Sequence, residues 1–269
     1  MTGGYPPGGG VGQLGPGLVA EPPPLAQRLF GDRLGLCVRY AQWLVGAGVE
    51  RGLIGPHEAE RLWERHLLNC VAVGAMIPPG SRVIDIGSGA GLPGIVLAIA
   101  RPDLQITLLE PMLRRTTFLE VVAADLGLDG VDVRRARAED LTRPRLRADI
   151  VTARAVAPVA RLGALSAPLL RPGGQLLAIK GAGVAAEVAS GWAGLRRAAM
   201  TDGAALFVVA AGPQLSEIHS GWLPGAQSIC TSTWASDGTP TRIDASAEAP
   251  GDTGHEGALA VVLRLTRCH

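Results

Sequence analysis

Residues 83–94 read Val-Ile-Asp85-Ile-Gly87-Ser-Gly89-Ala-Gly91-Leu92-Pro93-Gly94: a short apolar run, three alternate glycines, then a proline suited to a first helical turn. Glycines let a backbone approach a ligand with no Cβ in the way, and the first amides of a helix face whatever sits there. A second chemically suggestive residue is Glu110, 23 positions after Gly87 at the end of the next apolar run. A carboxylate there can accept hydrogen bonds from both hydroxyls of a ribose. A third is the turn Ala138-Glu139-Asp140, either a polar edge that meets an adenine amino group or a solvated acidic turn. Together they point to a nucleoside-bearing ligand and leave open which one.

Two ligands compete for the glycine turn. A dinucleotide asks for G-x-G-x-x-G, which Gly89-Ala-Gly91-Leu92-Pro93-Gly94 matches formally. That register begins two residues late, because the apolar run ends at Ile86. From Gly87 the spacing is G-x-G-x-G with Asp85 two residues ahead, and this resembles the S-adenosylmethionine-dependent methyltransferases of Rossmann-like fold. The resemblance implies a turn that wraps the methionine part of the cofactor and holds no pyrophosphate.

Such residues need strand ends gathered on one edge of a sheet. Residues 82–86, 105–110, 131–134, 149–152, 174–179, 206–209 and 259–265 read as strands, with helices from about Pro93 and over 113–126, 158–170 and 184–197. The alternation predicts an α/β fold with a mostly parallel seven-stranded sheet. Residues 25–80 carry helical spacing around a break at 52–56 and read as an N-terminal helical cap. Residues 1–24 hold eight Gly and six Pro and read as a disordered tail. Residues 81–269 then form the ligand-binding domain. Its Ser-, Thr-, Gly- and Pro-rich stretch at about 213–256 exceeds ordinary connections and reads as a flexible insertion.

The 269 residues carry a net charge of +1, with 47% apolar and 18% charged residues, which favours a folded core and excludes a strongly basic, non-specific nucleic-acid binder. No apolar run approaches the ~18 residues of a membrane span, and the start does not resemble a signal peptide, so the expectation is a cytoplasmic protein away from membranes. Cys37, Cys70, Cys230 and Cys268 form no C-x-x-C and read as free thiols. His66 and Cys70 stand at metal-like spacing without a second pair, so no metal is expected. The positive charge is local: eight Arg face three carboxylates between Arg134 and Arg161. Such a patch suits phosphates, although Arg143, Arg145 and Arg147 also read as a solvated face. Lys180, the only lysine, closes the fifth strand on the ligand-facing edge. A compact ammonium where every other cation is Arg suggests a substrate-facing role, with chance retention as the alternative.

The segments 85–95, Arg114-Arg-Thr-Thr-Phe118-Leu119, Arg137-Ala-Glu139 and Thr152-Ala-Arg154-Ala155, with Arg65-His66-Leu-Leu-Asn69 upstream, together resemble the ribosomal RNA small subunit methyltransferase G family over about residues 30–185. The resemblance implies a Rossmann-like class I methyltransferase that uses S-adenosyl-L-methionine to methylate N7 of a guanine in 16S rRNA. The implied partner is 16S rRNA or the small ribosomal subunit; a monomer is expected, though nothing in the sequence speaks to oligomeric state. Carried over, Gly87, Leu92, Ala138, Glu139 and Arg154 line the cofactor, beside Asp85, Gly89, Gly91 and Glu110 from the spacing. Arg137 and Arg154 face RNA, with His66 and Lys180 as further RNA-side candidates.

Guanine N7 offers a free lone pair and has no proton to lose, so no catalytic base is expected. Holding N7 in line with the methyl and sulfur, away from water, suffices. A full cation at the ring would oppose the charge arriving there, so Arg154 is expected on phosphate or on the cofactor carboxylate. No cysteine follows a proline, as covalent activation of a ring carbon would ask. Thr152-Ala-Arg-Ala-Val-Ala-Pro158 stands where amine methylation would place an Asn/Asp-Pro-Pro-aromatic segment. The competing readings are a small-molecule methyltransferase whose residues 25–76 form a lid, and a non-catalytic ribosome-binding scaffold. A nicotinamide dehydrogenase fits least.

Overall fold

The computed structural model describes residues 19–141, 147–181, 183–200, 202–211, 226–234, 240–242 and 258–268. Tail residues 1–18, Arg143, Arg145 and most of the stretch 213–256 lie outside the described residues.

The chain enters through α1 (Pro24–Phe30), with proline at its first position, where the missing N–H costs nothing. Helix α2 (Leu34–Trp43) runs on through a π-helical turn, Leu44–Gly48. A second π-helical turn, Trp63–Leu67, leads into α3 (Leu68–Ala72) and completes the helical cap. Then follow β1 (Arg82–Ile86), α4 (Gly94–Ala100), β2 (Gln105–Leu109), α5 (Leu113–Asp125), β3 (Val131–Arg134), β4 (Ala148–Arg154), α6 (Val159–Ser166), β5 (Leu170–Lys180) and α7 (Val184–Arg197). Strands β6 (Asp202–Ala211), β7 (Ala226–Trp234), β8 (Pro240–Arg242) and β9 (Ala258–Thr266) close the fold.

The sheet order is β3-β2-β1-β4-β5-β9-β6-β7-β8. Strands β1 to β5 are parallel, and β9 runs antiparallel between β5 and β6. The expected seven-strand, mostly parallel core is the part from β3 to β6. Strands β7 and β8 extend its edge from within the stretch read as an insertion, and β7 pairs antiparallel with β6 from Ala205↔Thr233 to Ala211↔Ala226. Ser and Thr made Ala-Gln-Ser-Ile-Cys-Thr-Ser-Thr-Trp look like a loop, yet its Ile, Thr and Trp are good strand formers.

Alternation along each strand splits the core in two. Val83, Leu108, Leu177, Ile179 and Val262 face α4, α5 and the cap. Ile84, Leu109, Leu176, Ala178 and Leu263 face α6 and α7. The cap shares the first of these cores: Tyr40, Leu44, Leu62 and Leu67 are fully buried in one cluster with Ile95, Leu97 and Phe118. Each large apolar side chain so buried contributes roughly 1.5–3 kcal/mol, which fixes the cap over the glycine turn.

Candidate active site

Strand order reverses at β1, between β2 on one side and β4 on the other. In an open α/β sheet a crevice forms at the carboxyl ends of such strands. A cleft of about 380 Å³ lies there, lined by Gly87, Glu110, Met112, Arg115, Arg137, Ala138, Glu139, Arg154, Ala155, Val156 and Arg161 among others.

The glycine turn directs its amides inward. Gly87 and Ser88 N–H both donate to the Leu109 carbonyl, at 2.8 and 3.1 Å, and Gly91 and Leu92 N–H to that of Ser88, at 2.7 and 3.1 Å. Gly89 N–H donates to Glu110 Oε2 at 3.1 Å, and Gly94 N–H, at the start of α4, to Asp85 Oδ2 at 3.2 Å. The amides expected to face a ligand are therefore used by the protein, and these donors are not available to cradle a pyrophosphate. Gly91 has φ +101°, and a Cβ on it would stand 2.8 Å from Tyr40 Oη. The buried Tyr40 hydroxyl donates to the Ala90 carbonyl at 2.7 Å, tying the cap to the turn.

Asp85 does not reach the cleft, which corrects its expected role as a cofactor contact. It is fully buried, Oδ1 accepts from the Thr152 hydroxyl at 3.0 Å, and Oδ2 accepts from Gly94. Burial pushes its carboxyl up to about 7, against hydrogen bonds that lower it. Asp85 thus braces the turn from beneath. Leu92 is likewise displaced: it packs, half-buried, against the core shared with the cap.

Glu110 is 1% exposed. Besides Gly89, it accepts the Met112 N–H on Oε1 at 3.0 Å, and Arg115 Nη1 stands 3.6 Å from Oε2. The Arg115 Nε is buried with no partner among the described residues. Met112 is 41% exposed at the cleft wall. Sequence alone assigns no role to Met112 or Tyr40, and Arg115 and Thr152 enter it only within the family-like segments. Only the position of Met112 and Arg115 just after Glu110 could have suggested them.

Arg137, exposed, and Ala138, buried, carry the chain past the cleft with Glu139, whose carboxylate stands 3.4 Å from Arg161 Nη2. Ala155 follows β4 at φ +54°, an uncommon conformation for a residue with a Cβ.

Arg154 lines the cleft but directs its guanidinium into the cap. Nη2 donates to the Arg65 carbonyl at 3.0 Å and to His66 Nδ1 at 2.7 Å, and Nη1 to Cys70 Sγ at 3.3 Å. His66 Nε2 in turn meets Glu58 Oε2 at 2.5 Å. His66, expected to face RNA, is therefore engaged on both ring nitrogens. Its pKa is held below 6.5, first by burial and then by the Arg154 charge. Burial pushes the Cys70 thiol up to about 11, so it is inert at neutral pH.

Lys180, expected to face the substrate, is engaged within the fold and does not line the cleft. Its Nζ donates to Glu187 Oε1 and Oε2 at 3.0 and 3.1 Å and to the Ala157 carbonyl at 3.0 Å. Glu187 Oε1 also accepts the Val159 N–H at the start of α6. Three donors on a compact ammonium match these three oxygens, which join β5, α6 and α7 rather than meeting a substrate.

A sheet of this order, with a glycine turn after β1 and an acidic residue after β2, defines a Rossmann-like class I methyltransferase. The chain belongs to the rRNA small subunit methyltransferase G family, which matches residues 34–213. It is 59% identical over 167 residues to the ribosomal RNA small subunit methyltransferase G of Thermobifida fusca, covering 62% of this chain and 70% of the relative. The Salinispora tropica protein of the same name is 57% identical over 185 residues, covering 65% and 76% respectively. Among solved structures, the S-adenosylmethionine-dependent methyltransferase SibL in its apo form overlaps 86% of this chain and 62% of its own, at 18% identity and a TM-score of 0.49. No helix among the described residues is long and apolar enough to cross a membrane.

Proposed function

We infer that this protein methylates N7 of a guanine in 16S rRNA of the small ribosomal subunit, using S-adenosylmethionine. The observation that carries the reading is the pair Glu110 and Arg115 in the cleft: a buried carboxylate beside a guanidinium whose Nε lacks an acceptor. Among the described residues Glu110 Oε1 accepts only the Met112 N–H and keeps a second lone pair for a ribose hydroxyl, and a polar ligand can supply the acceptor that Arg115 Nε lacks. The exposed Met112 side chain offers an apolar wall for adenine, and the Ala138–Glu139 turn offers a polar edge for its amino group. Gly87, without a side chain, allows close approach of the methionine part.

Bound there, S-adenosylmethionine supplies a sulfonium methyl electrophile. The residues around it need only orient the guanine and exclude water, because N7 attacks with its own lone pair. Arg154 is held by the cap, so its charge stays off the imidazole edge that becomes cationic. Exposed Arg137 and Arg161 at the rim suit rRNA phosphates better than a small neutral substrate. The same reading takes the protein as a cytoplasmic monomer that needs no metal.

The test is transfer of labelled methyl to small subunits that lack the modification, followed by borohydride reduction and aniline cleavage. Cleavage at a single guanine is expected. Label on an exocyclic amine or a ring carbon, or no label on rRNA, overturns the reading.

A further inference from the structure

A second concavity, about 880 Å³, opens beside α6, α7 and the residues after β9. Its wall carries Arg147, Arg161, Arg197 and Arg267 and, among the described residues, not one carboxylate. The floor is small, with Ala164 and Ala198 among its residues. Several arginines elsewhere are ion-paired: Arg39 with Asp125, Arg101 with Asp103, Arg134 with Asp132, Arg171 with Asp149. In this groove the only ion pair among the described residues is Arg161 with Glu139, at 3.4 Å, with 69% and 49% of the side chains exposed. Such a pair is weak and yields readily to a stronger anion.

Four cations around one shallow groove repel each other unless an anion joins them. Guanidinium forks match phosphate oxygens. Arg161 lines both this groove and the cleft, so the two adjoin at its side chain. Arg197 and Arg267 come from segments distant from the Arg-rich stretch at 134–161, so folding assembles this surface. We propose that the groove holds the ribose–phosphate backbone of the rRNA flanking the target guanine, guiding it past Arg161 to the cleft. The proposal rests on the reading of the protein as an rRNA methyltransferase.

The test compares wild type with an Arg147→Ala/Arg197→Ala variant, neither residue being in the cleft. Methyl transfer to small subunits and binding to protein-free 16S rRNA are both measured over a range of salt concentrations. The KM for small subunits and the Kd for 16S rRNA are expected to rise about tenfold. The slope of log K against log salt should shrink by roughly 1.5, two phosphate contacts' worth. Adenosylhomocysteine affinity and kcat at saturating subunits should stay unchanged. The Arg147→Lys/Arg197→Lys variant should restore most of the slope. Wild-type methylation with no change of KM, Kd or slope in the alanine variant overturns the groove alone. A loss seen with subunits but not with protein-free rRNA also overturns it, since the groove would then meet a ribosomal protein. A wild type that methylates no rRNA overturns the functional reading itself.

Discussion

Arg154, at the end of β4, donates to Nδ1 of His66 in the cap across 2.7 Å. A guanidinium has only donors, so Nδ1 must accept and the imidazole proton sits on Nε2, toward Glu58. The cap and the cleft wall are thereby joined through one tautomer of a neutral histidine.

Protonating His66 breaks that link. Its folded pKa lies below 6.5, so the unfolded chain takes the proton first as pH falls. The histidine's contribution to stability is complete above 6.5 and is lost as pH drops through the folded value. Glu58, lowered below 4.5 chiefly by its hydrogen bond with His66, adds a half-buried, solvent-screened and therefore small contribution of the same sign at more acid pH. The Tm advantage of wild type over His66→Gln should shrink as pH is lowered from 6.5. A difference constant over that range contradicts the assigned tautomer.

Asp85 works in the opposite direction. Its folded pKa is raised from 3.8 to about 7, so the folded state holds the proton more tightly. Its contribution is fully present below 3.8 and is lost as pH rises toward about 7. Asp85→Asn should therefore compare worst with wild type near pH 4 and best near pH 7. Thermal melts of both proteins across this range decide it; a gap that widens with pH speaks against a buried, proton-holding carboxyl.

The turn itself is vulnerable at Gly89, where φ is +58° and the N–H serves Glu110. Gly89→Val puts a β-branched residue in a left-handed conformation, costing about 2 kcal/mol, and should abolish adenosylhomocysteine binding by calorimetry. Tyr40→Phe leaves the Ala90 carbonyl without its donor. It should cost about 1–2 kcal/mol and weaken the same binding without disturbing affinity for RNA. Full binding by the valine variant would show that the turn does not shape the cleft.

Lys180 gives the sharpest contrast between the two readings of one residue. Lys180→Met leaves Glu187 without its counter-charge, with the lysine side chain only 13% exposed, and should cost roughly 2–3 kcal/mol. Lowered Tm with an unchanged KM for small subunits is the expected result. Unchanged Tm with a raised KM would return Lys180 to the substrate side.

Much of this was legible because it is local. The alternation of strands and helices, the glycine turn and Glu110 are properties of short segments, and each lies where its spacing placed it. Part of what the sequence hid involves partners far along the chain. Asp85 meets Thr152 across 67 positions and Arg154 meets His66 across 88. Strand β7 was hidden because Ser and Thr suit loops as well as sheet edges.

The order of residues alone decided that a sheet would form, that its first turn would be glycine-rich and that an acid would follow the second strand, since these depend on local sterics and hydrophobic period. Which way the amides point, that the lone lysine braces α7, and that arginines from three distant segments line one groove were decided only by packing. Those outcomes depend on which charged and polar groups folding brings within hydrogen-bonding reach, and no spacing along the chain encodes that distance.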